Sequence, residues 1–414
     1  MENSGNTPKF SLHLPFHGGN TGSNPVGDAT PIPPLLSTPL SASCQTRSTS
    51  RAVTFKDAIK IKRAFFMEFK RWEPRVGDWV EVKPAAEILE TLDARGEMER
   101  MPFMPEMLVH AGKRFQISAV AHKTCDTVNK TGGRAVKDAV HLADLRCDGS
   151  AHGGCRAACL LFWKTAWLQP VSGQHEGTRL PSNATDRTAQ EGVGALTSNA
   201  SSKRADGAIL YRCQATTLPE WSTPLHWWDA RQYRRDVRSG NVTARRAFTT
   251  LILASIFNIR RLPRGYRFAC WLYERAHLWL RGFPDPHGTG KIPQGRQTPD
   301  ARLDLTIGEL VEIKSRDEIF ETVNFHNRNR GLQIDEEMTR YCGGRFRVVS
   351  RVTRIINERT GEMMHFNNPC IVLDNVNCLG EYSARRLLCP RRITAYWREI
   401  WLKRVEDGPA ADPG

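Results

Sequence analysis

The chain has no run of about 18 apolar residues, so no segment is expected to cross a bilayer core as a helix. Its first thirty residues hold no basic stretch followed by an apolar one, so no secretory leader is expected. Cysteine is too sparse for a disulfide scaffold and odd in number, eleven in 414 residues. The thiols are therefore expected to be reduced, and the protein cytoplasmic or held at the face of a membrane. Close Cys-x-x-Cys knuckles and a dinucleotide fingerprint are also missing. His287-Gly288-Thr289-Gly290-Lys291 lacks the preceding strand and the Lys-Ser/Thr ending of a phosphate loop.

Positive charge is what the chain has in excess. A net charge of +15 and a pI near 9.5 predict an anionic partner: a membrane surface, a protein surface or nucleic acid. The apolar fraction of 40% and charged fraction of 25% place the chain among ordinary globular proteins, long enough for two or three domains.

Residues 1–52 are rich in Ser, Thr, Pro, Asn and Gly without periodicity, and a disordered tail is expected there. Gly22-Ser23-Asn24-Pro25 is what a transfer-RNA T-arm encodes in one frame, which suggests a start site misassigned through such a gene. Residues 53–74 fit a basic amphipathic helix with Phe55, Ile59, Ile61, Phe65 and Phe69 as its apolar residues. The polar stretch 173–207 reads as a flexible linker, and 407–414 as a second disordered tail.

An internal repeat decides the rest. With Gly77 placed over Gly308, an offset of 231, GDWVEVKPAAEILETLD lies over GELVEIKSRDEIFETVN. Glu106-Met107 meets Glu337-Met338, Gly112 meets Gly343, and Cys147 meets Cys378 without a gap. After three inserted residues Cys155 meets Cys389, and FWKTAWLQPV meets YWREIWLKRV. The result is two divergent repeats, 75–172 and 306–406, of an α+β, mostly β protein. The first repeat should hold strands at 79–83, 114–120, 139–145 and 166–171, with helical turns at 87–93 and 105–110. GDWVEV resembles the opening strand of SH3-like barrels, which implies a small closed β-barrel for each repeat.

The region 208–305 between the repeats is basic, aromatic and helical in pattern. From Ala230 to Gly282 it holds twelve arginines and two acids, and Phe248–Ile259 is mostly apolar. Twelve residues make a helix of about 18 Å, too short to span a bilayer. A buried hairpin packing the repeats together is one reading. Another is an interfacial hairpin, with Arg234, Arg235, Arg245, Arg246, Arg260, Arg261 and Arg264 on anionic phosphates and Trp271 and Trp279 at headgroup level. Nucleic-acid binding through the arginines is the third.

The repeat also sorts the chemistry. Residues kept in both copies belong to the framework, and those private to one copy mark a private function. Cys125, Cys159, His122 and His152 are private to the first. With the framework thiols Cys147 and Cys155 they form a metal-ligand set, the cysteines spaced by 22, 8 and 4 residues. Four N or S donors suit structural zinc, and Cys155 and Cys159 on one helical turn would share a face. Gly153 and Gly154 would let backbone N–H groups approach a thiolate. The second repeat, with isoleucine for two of the ligands, is expected to be metal-free.

Cys147-Asp148-Gly149-Ser150-Ala151-His152 resembles the CDGSH iron–sulfur family, whose motif cysteine and histidine ligate a [2Fe–2S] cluster. Here Ala151 is inserted, and the upstream Cys-x-Cys pair is missing. The resemblance implies an iron–sulfur cluster as the alternative cofactor to zinc. Cys147 or Cys125 beside His152 or His122 would instead suit a thiol-dependent enzyme. The reading favoured by the sequence is a non-catalytic binding or scaffold protein with a structural metal.

Overall fold

A computed structural model describes residues 72–143, 145–171, 186–259, 266–283, 285–383 and 385–405. The amphipathic stretch 53–74 and both tails lie almost wholly outside these residues, as do Arg260, Arg261 and Arg264. From Pro74 onward the described chain gathers into one unit.

Five strands of the first repeat form an antiparallel sheet: β1 (Trp79–Val82), β2 (Arg114–Val120), β3 (Ala139–Leu142), β4 (Trp163–Lys164) and β5 (Leu168–Pro170). Their order is β4-β3-β2-β1-β5. The second repeat builds β6 (Leu310–Ile313), β7 (Arg345–Ile356), β8 (Met363–Asn377), β9 (Thr394–Trp397) and β10 (Leu402–Arg404) in the order β9-β8-β7-β6-β10. The pairings agree residue for residue at the sequence offset. Trp79 faces Gln116 where Leu310 faces Arg347, and Ile117 faces Leu142 where Val348 faces Leu373. Both sheets carry the same irregularity, at Ile117/Ala119 and at Val348/Ser350.

The expected closed barrel is not present. The strands form open sheets, and no pairing among the described residues closes either one. The last expected strand of each repeat is split by a 3-10 turn, Thr165–Trp167 and Glu399–Trp401. That turn swings a tryptophan into the core, where Trp167 Nε1 donates to Thr91 Oγ1 (3.0 Å) and Trp401 Nε1 to Thr322 Oγ1 (2.9 Å). An indole buried this way removes large apolar area while its polar atom stays satisfied. Phe103 packs edge-on to Trp163 and Trp167 in the first core, and Ile334 stands at the matching place in the second.

The paired glutamates have divided roles. Glu81 pairs with Arg114 (3.0 Å) and Glu312 with Arg345 (3.3 Å) across neighbouring strands. Ser315 and Glu318 form a reciprocal helix cap, whereas Pro84 in the first repeat cannot cap.

The stretch expected as a linker is ordered from residue 186. It forms α1 (Asp186–Asn199) and a two-stranded hairpin, Ser201–Lys203 with Ile209–Tyr211. Aperiodic polar sequence hid a helix that docks one side on the first repeat, burying Leu196. Beyond it run α2 (Ala230–Ser239), α3 (Ala244–Ile259) and α4 (Tyr266–Arg281). Asp229 caps the start of α2, and Gly240 ends it in the left-handed region. The inner faces of α3 and α4 bury Ala247, Leu253, Tyr273 and His277. They rest on the second repeat, where Arg246 and Arg281 reach Glu381 (2.6 and 3.4 Å) and His277 meets Tyr382 (3.1 Å). No helix among the described residues is long and apolar enough to cross a membrane.

Candidate metal centre

The loop Cys147–Cys159 leaves the sheet after β3 and returns before β4. It is coil, so Cys155 and Cys159 do not share a helical face. Cys147 N donates to the Cys159 carbonyl (2.8 Å) and closes the loop at its base. Inside it, the amides of His152 and Gly154 both donate to the Gly149 carbonyl (3.0 and 2.9 Å). Gly149 has φ +74°, and a Cβ there would stand 1.9 Å from the Cys155 carbonyl oxygen, so only glycine lets the loop fold back on itself. This backbone presents Cys147 and His152 inward to one point.

A residue not selected from the sequence completes that point. Glu106, on the 3-10 turn Pro105–His110, is 8% exposed, and its Oε1 accepts from Cys147 Sγ at 2.9 Å. His152 Nδ1 lies 3.3 Å from the same oxygen, and His152 is 1% exposed. Ligand atoms of Glu106, Cys147 and His152 all lie within 4.8 Å of one another. The signal available in the sequence was the identity of Glu106 and Glu337 across the repeats, in a segment otherwise apolar.

The polar bookkeeping around this point is incomplete. His152 Nε2 stands 3.1 Å from the Arg212 carbonyl, which can only accept, so Nε2 carries the hydrogen and Nδ1 offers a lone pair. Neither Nδ1 nor Glu106 Oε2 has a hydrogen-bond partner, although both are buried. A lone pair facing a carboxylate is unfavourable, so this contact calls for a cation between the two atoms, either a proton on Nδ1 or a metal ion. An imidazole that donates its far N–H to a backbone carbonyl is the orientation common to metal-ligating histidine. Burial works against ionisation of Glu106, but a cation at His152 Nδ1 and the Cys147 thiol outweigh it and hold the carboxyl below its ordinary value. Burial and the Glu106 charge push the Cys147 thiol up, so without a cation it stays protonated, unlike an activated nucleophile.

Cys147 and His152 also line an internal cavity of about 40 Å³. Cys155, Cys159 and Cys213 line the same cavity with Met104, Phe162, Ile356, Glu358 and Arg391. Of the expected ligands, two therefore converge with Glu106, and Cys155 and Cys159 stand at the cavity wall.

His122 and Cys125 do not belong to the site. His122 Nε2 lies 3.2 Å from Asp236 Oδ1 on α2, beside the Lys123–Asp236 ion pair (2.6 Å). Burial, with Lys123 next to it, lowers the His122 imidazole to about 3 and leaves it neutral in a structural cluster. Cys125 crosses to the second repeat, where its thiol pairs with that of Cys389. That contact, with the Arg391 and Arg386 guanidinium groups, holds the Cys125 thiol below its ordinary value. The strand-by-strand offset explains the crossing. The second-repeat counterpart of Cys125 is Ile356, and it crosses the other way: its amide donates to Cys155 Sγ (3.4 Å).

The second repeat repeats the loop without the vacancy in its bonding. Gly380 keeps the positive φ of Gly149 (+66°), and Leu388 and Arg392 match Gly154 and Ala158 in theirs. Glu337 is the counterpart of Glu106, but its Oε1 accepts from the amides of Glu381 (2.5 Å) and Tyr382 (2.8 Å) and its Oε2 from Leu379 (3.2 Å). Counting back from Cys389, Arg386 stands where the first repeat has His152. Its guanidinium interacts with Cys378, Cys389, Cys125 and Asp335.

No protein family, curated protein or solved structure matches the chain.

Proposed function

We propose that the protein is a metal-binding scaffold of two divergent repeats, duplicated SH3-like modules left open. The first holds a zinc-class divalent ion through Glu106, Cys147 and His152, and the second is its metal-free counterpart. The observation that carries this reading is the pair of buried, unpartnered atoms, His152 Nδ1 and Glu106 Oε2, beside the Cys147 thiol. One nitrogen, one sulfur and one oxygen donor suit borderline-soft zinc and are wrong for calcium or magnesium, which need oxygen shells. With Glu106 and Cys147 ionised and His152 neutral, a divalent ion makes the buried site uncharged. An iron–sulfur cluster needs four cysteine or histidine ligands, and the cluster contains two.

Metal analysis of anaerobically purified protein is expected to give about one zinc per chain in a colourless sample. A metal-free sample that is as stable as before chelation defeats the reading, and a brown one replaces zinc with an iron–sulfur cluster.

A separate observation supports docking on an anionic membrane surface. The outer face of α4 exposes Phe268, Trp271, Leu272, Arg275, Leu278 and Trp279, the last at 85%, and Phe248 is exposed on α3. The spacing of three and four residues makes one aromatic stripe. Arg234, Arg235 and Arg245 are exposed nearby in the sequence, whereas Arg246 is spent on Glu381. Vesicles containing phosphatidylserine are expected to sediment the protein, and Trp279→Glu with Trp271→Glu to release it. Retention of both variants, or preference for RNA or DNA over vesicles, rejects this surface.

A further inference from the structure

We infer that the metal of the first repeat keeps one coordination position open to the cavity, and that this position takes a small monodentate ligand, water at rest. The inference rests on the metal reading above and goes beyond it, because an open position makes the centre reactive.

Among the described residues no fourth Cys, His, Asp or Glu donor joins Glu106, Cys147 and His152 within 4.8 Å, while zinc takes at least four ligands. Two of the three donors, Cys147 and His152, form part of the cavity wall, so the missing position faces the cavity. The thiols that might close the site are held elsewhere on that wall. Cys155 Sγ accepts the Ile356 amide and packs with Val352, Ile355 and Tyr396 of the second repeat. Cys159 and Cys213 line the cavity outside the donor group.

The size and lining set the ligand class. A cavity of about 40 Å³ exceeds the roughly 10–15 Å³ that one water needs on this measure, and suits a ligand of a few atoms. Met104, Phe162, Leu161 and Ile356 in the wall favour an uncharged site, which Glu106, Cys147, a divalent ion and a water provide. A monoanion adds one charge, met only in part by the Arg391 guanidinium in the same wall, which is paired with Glu358 (3.2 Å). Zinc with three protein ligands and a water is the arrangement of catalytic sites, in which the ion lowers the pKa of that water toward neutrality. The first repeat is thus built to activate water or bind a small anion, in a space that admits only small reactants.

The test uses the full-length protein loaded with cobalt(II) in place of zinc. Azide and cyanide are each expected to give a saturable change in the visible d–d bands, and benzoate none. Cys155→Ser, Cys159→Ser and Cys213→Ser should keep the parent cobalt spectrum and its azide response. A spectrum indifferent to azide, with thiolate-to-cobalt absorption cut by about half in one of those variants, shows a closed site and overturns the inference while leaving the metal in place. A parent protein that takes up no cobalt overturns the metal centre itself.

Discussion

The two repeats share a sheet, a register, a bulge and a loop conformation, yet they satisfy the matching buried glutamate differently. Glu337 accepts three backbone amides, and Arg386 brings a permanent positive charge to its neighbouring thiols. Glu106 accepts one thiol proton, keeps an oxygen without a partner, and faces a histidine lone pair. A buried carboxylate and thiols need positive charge nearby. The second repeat has backbone amides on Glu337 and a permanent cation, Arg386, beside Cys378 and Asp335. The first repeat has histidine at that place, whose charge is not permanent, and on the reading proposed above a bound ion supplies it. On that reading, one loop serves as a closed core element in the second repeat and as a metal centre in the first, with arginine in one and histidine in the other at the matching position.

The sharpest way to break this comparison is to remove the matching thiols. Cys147→Ser is expected to take bound zinc from about one per chain to near zero, and Cys378→Ser to leave it unchanged, as read by metal analysis. With free metal at a thousand times its dissociation constant, binding adds about 4 kcal/mol to stability, so Cys147→Ser or chelation should lower the melting temperature by roughly 10 °C. Acid should do the same. Binding displaces the proton from Cys147, so affinity falls as pH falls, and thermal stability of the zinc form should drop toward that of the chelated form. Equal zinc loss in both serine variants would end the division into a metal-bearing and a metal-free repeat.

The glycines probe the shared loop instead. Gly149→Ala brings a Cβ to 1.9 Å from the Cys155 carbonyl oxygen, and Gly380→Ala to 2.6 Å from the Cys389 amide nitrogen, each at positive φ. Strain at such a site and the clash together should destabilise by roughly 2–4 kcal/mol, the lower end applying to Gly380. In denaturant titration both should shift the midpoint, but only Gly149→Ala should also release zinc. A neutral Gly149→Ala would mean that the loop does not need its tight return.

How much of this was legible in the sequence follows from what a repeat can carry. Aligned identities located both sheets, because Val80, Glu81 and Lys83 recur at positions fixed by strand pairing. They also marked Cys147 as framework. The aperiodic stretch before Ile209 gave no sign of α1, since a helix rich in Thr, Gly and Gln is held by docking and not by its own pattern. Barrel closure was not legible from GDWVEV, which specifies one strand and not how the sheet ends. Glu106 was overlooked because identity across the repeats pointed to structure, and in the second repeat Glu337 is structural. Cys125 was assigned to the wrong site for a different reason. Its segment crosses between repeats, and spacing along the chain cannot reveal an exchange that depends on how two similar units face one another.

That exchange gives the smallest and most specific prediction. Cys125 of the first repeat meets Cys389 of the second, whereas the reciprocal contact joins Ile356 to Cys155 through a backbone amide. A side-chain pair contributes to a double-mutant cycle, but a backbone donor survives substitution of its own side chain. Cys125→Ala and Cys389→Ala should therefore couple by about 1 kcal/mol in a cycle of unfolding free energies. Ile356→Val with Cys155→Ala should couple by less than about 0.5 kcal/mol, since only packing links the two side chains. Equal coupling on both sides would mean that the arginine-bearing site gains nothing specific from the imported thiol. The predicted asymmetry instead makes Cys125 a private residue of the first repeat that serves the second, beside the Arg391 and Arg386 guanidinium groups.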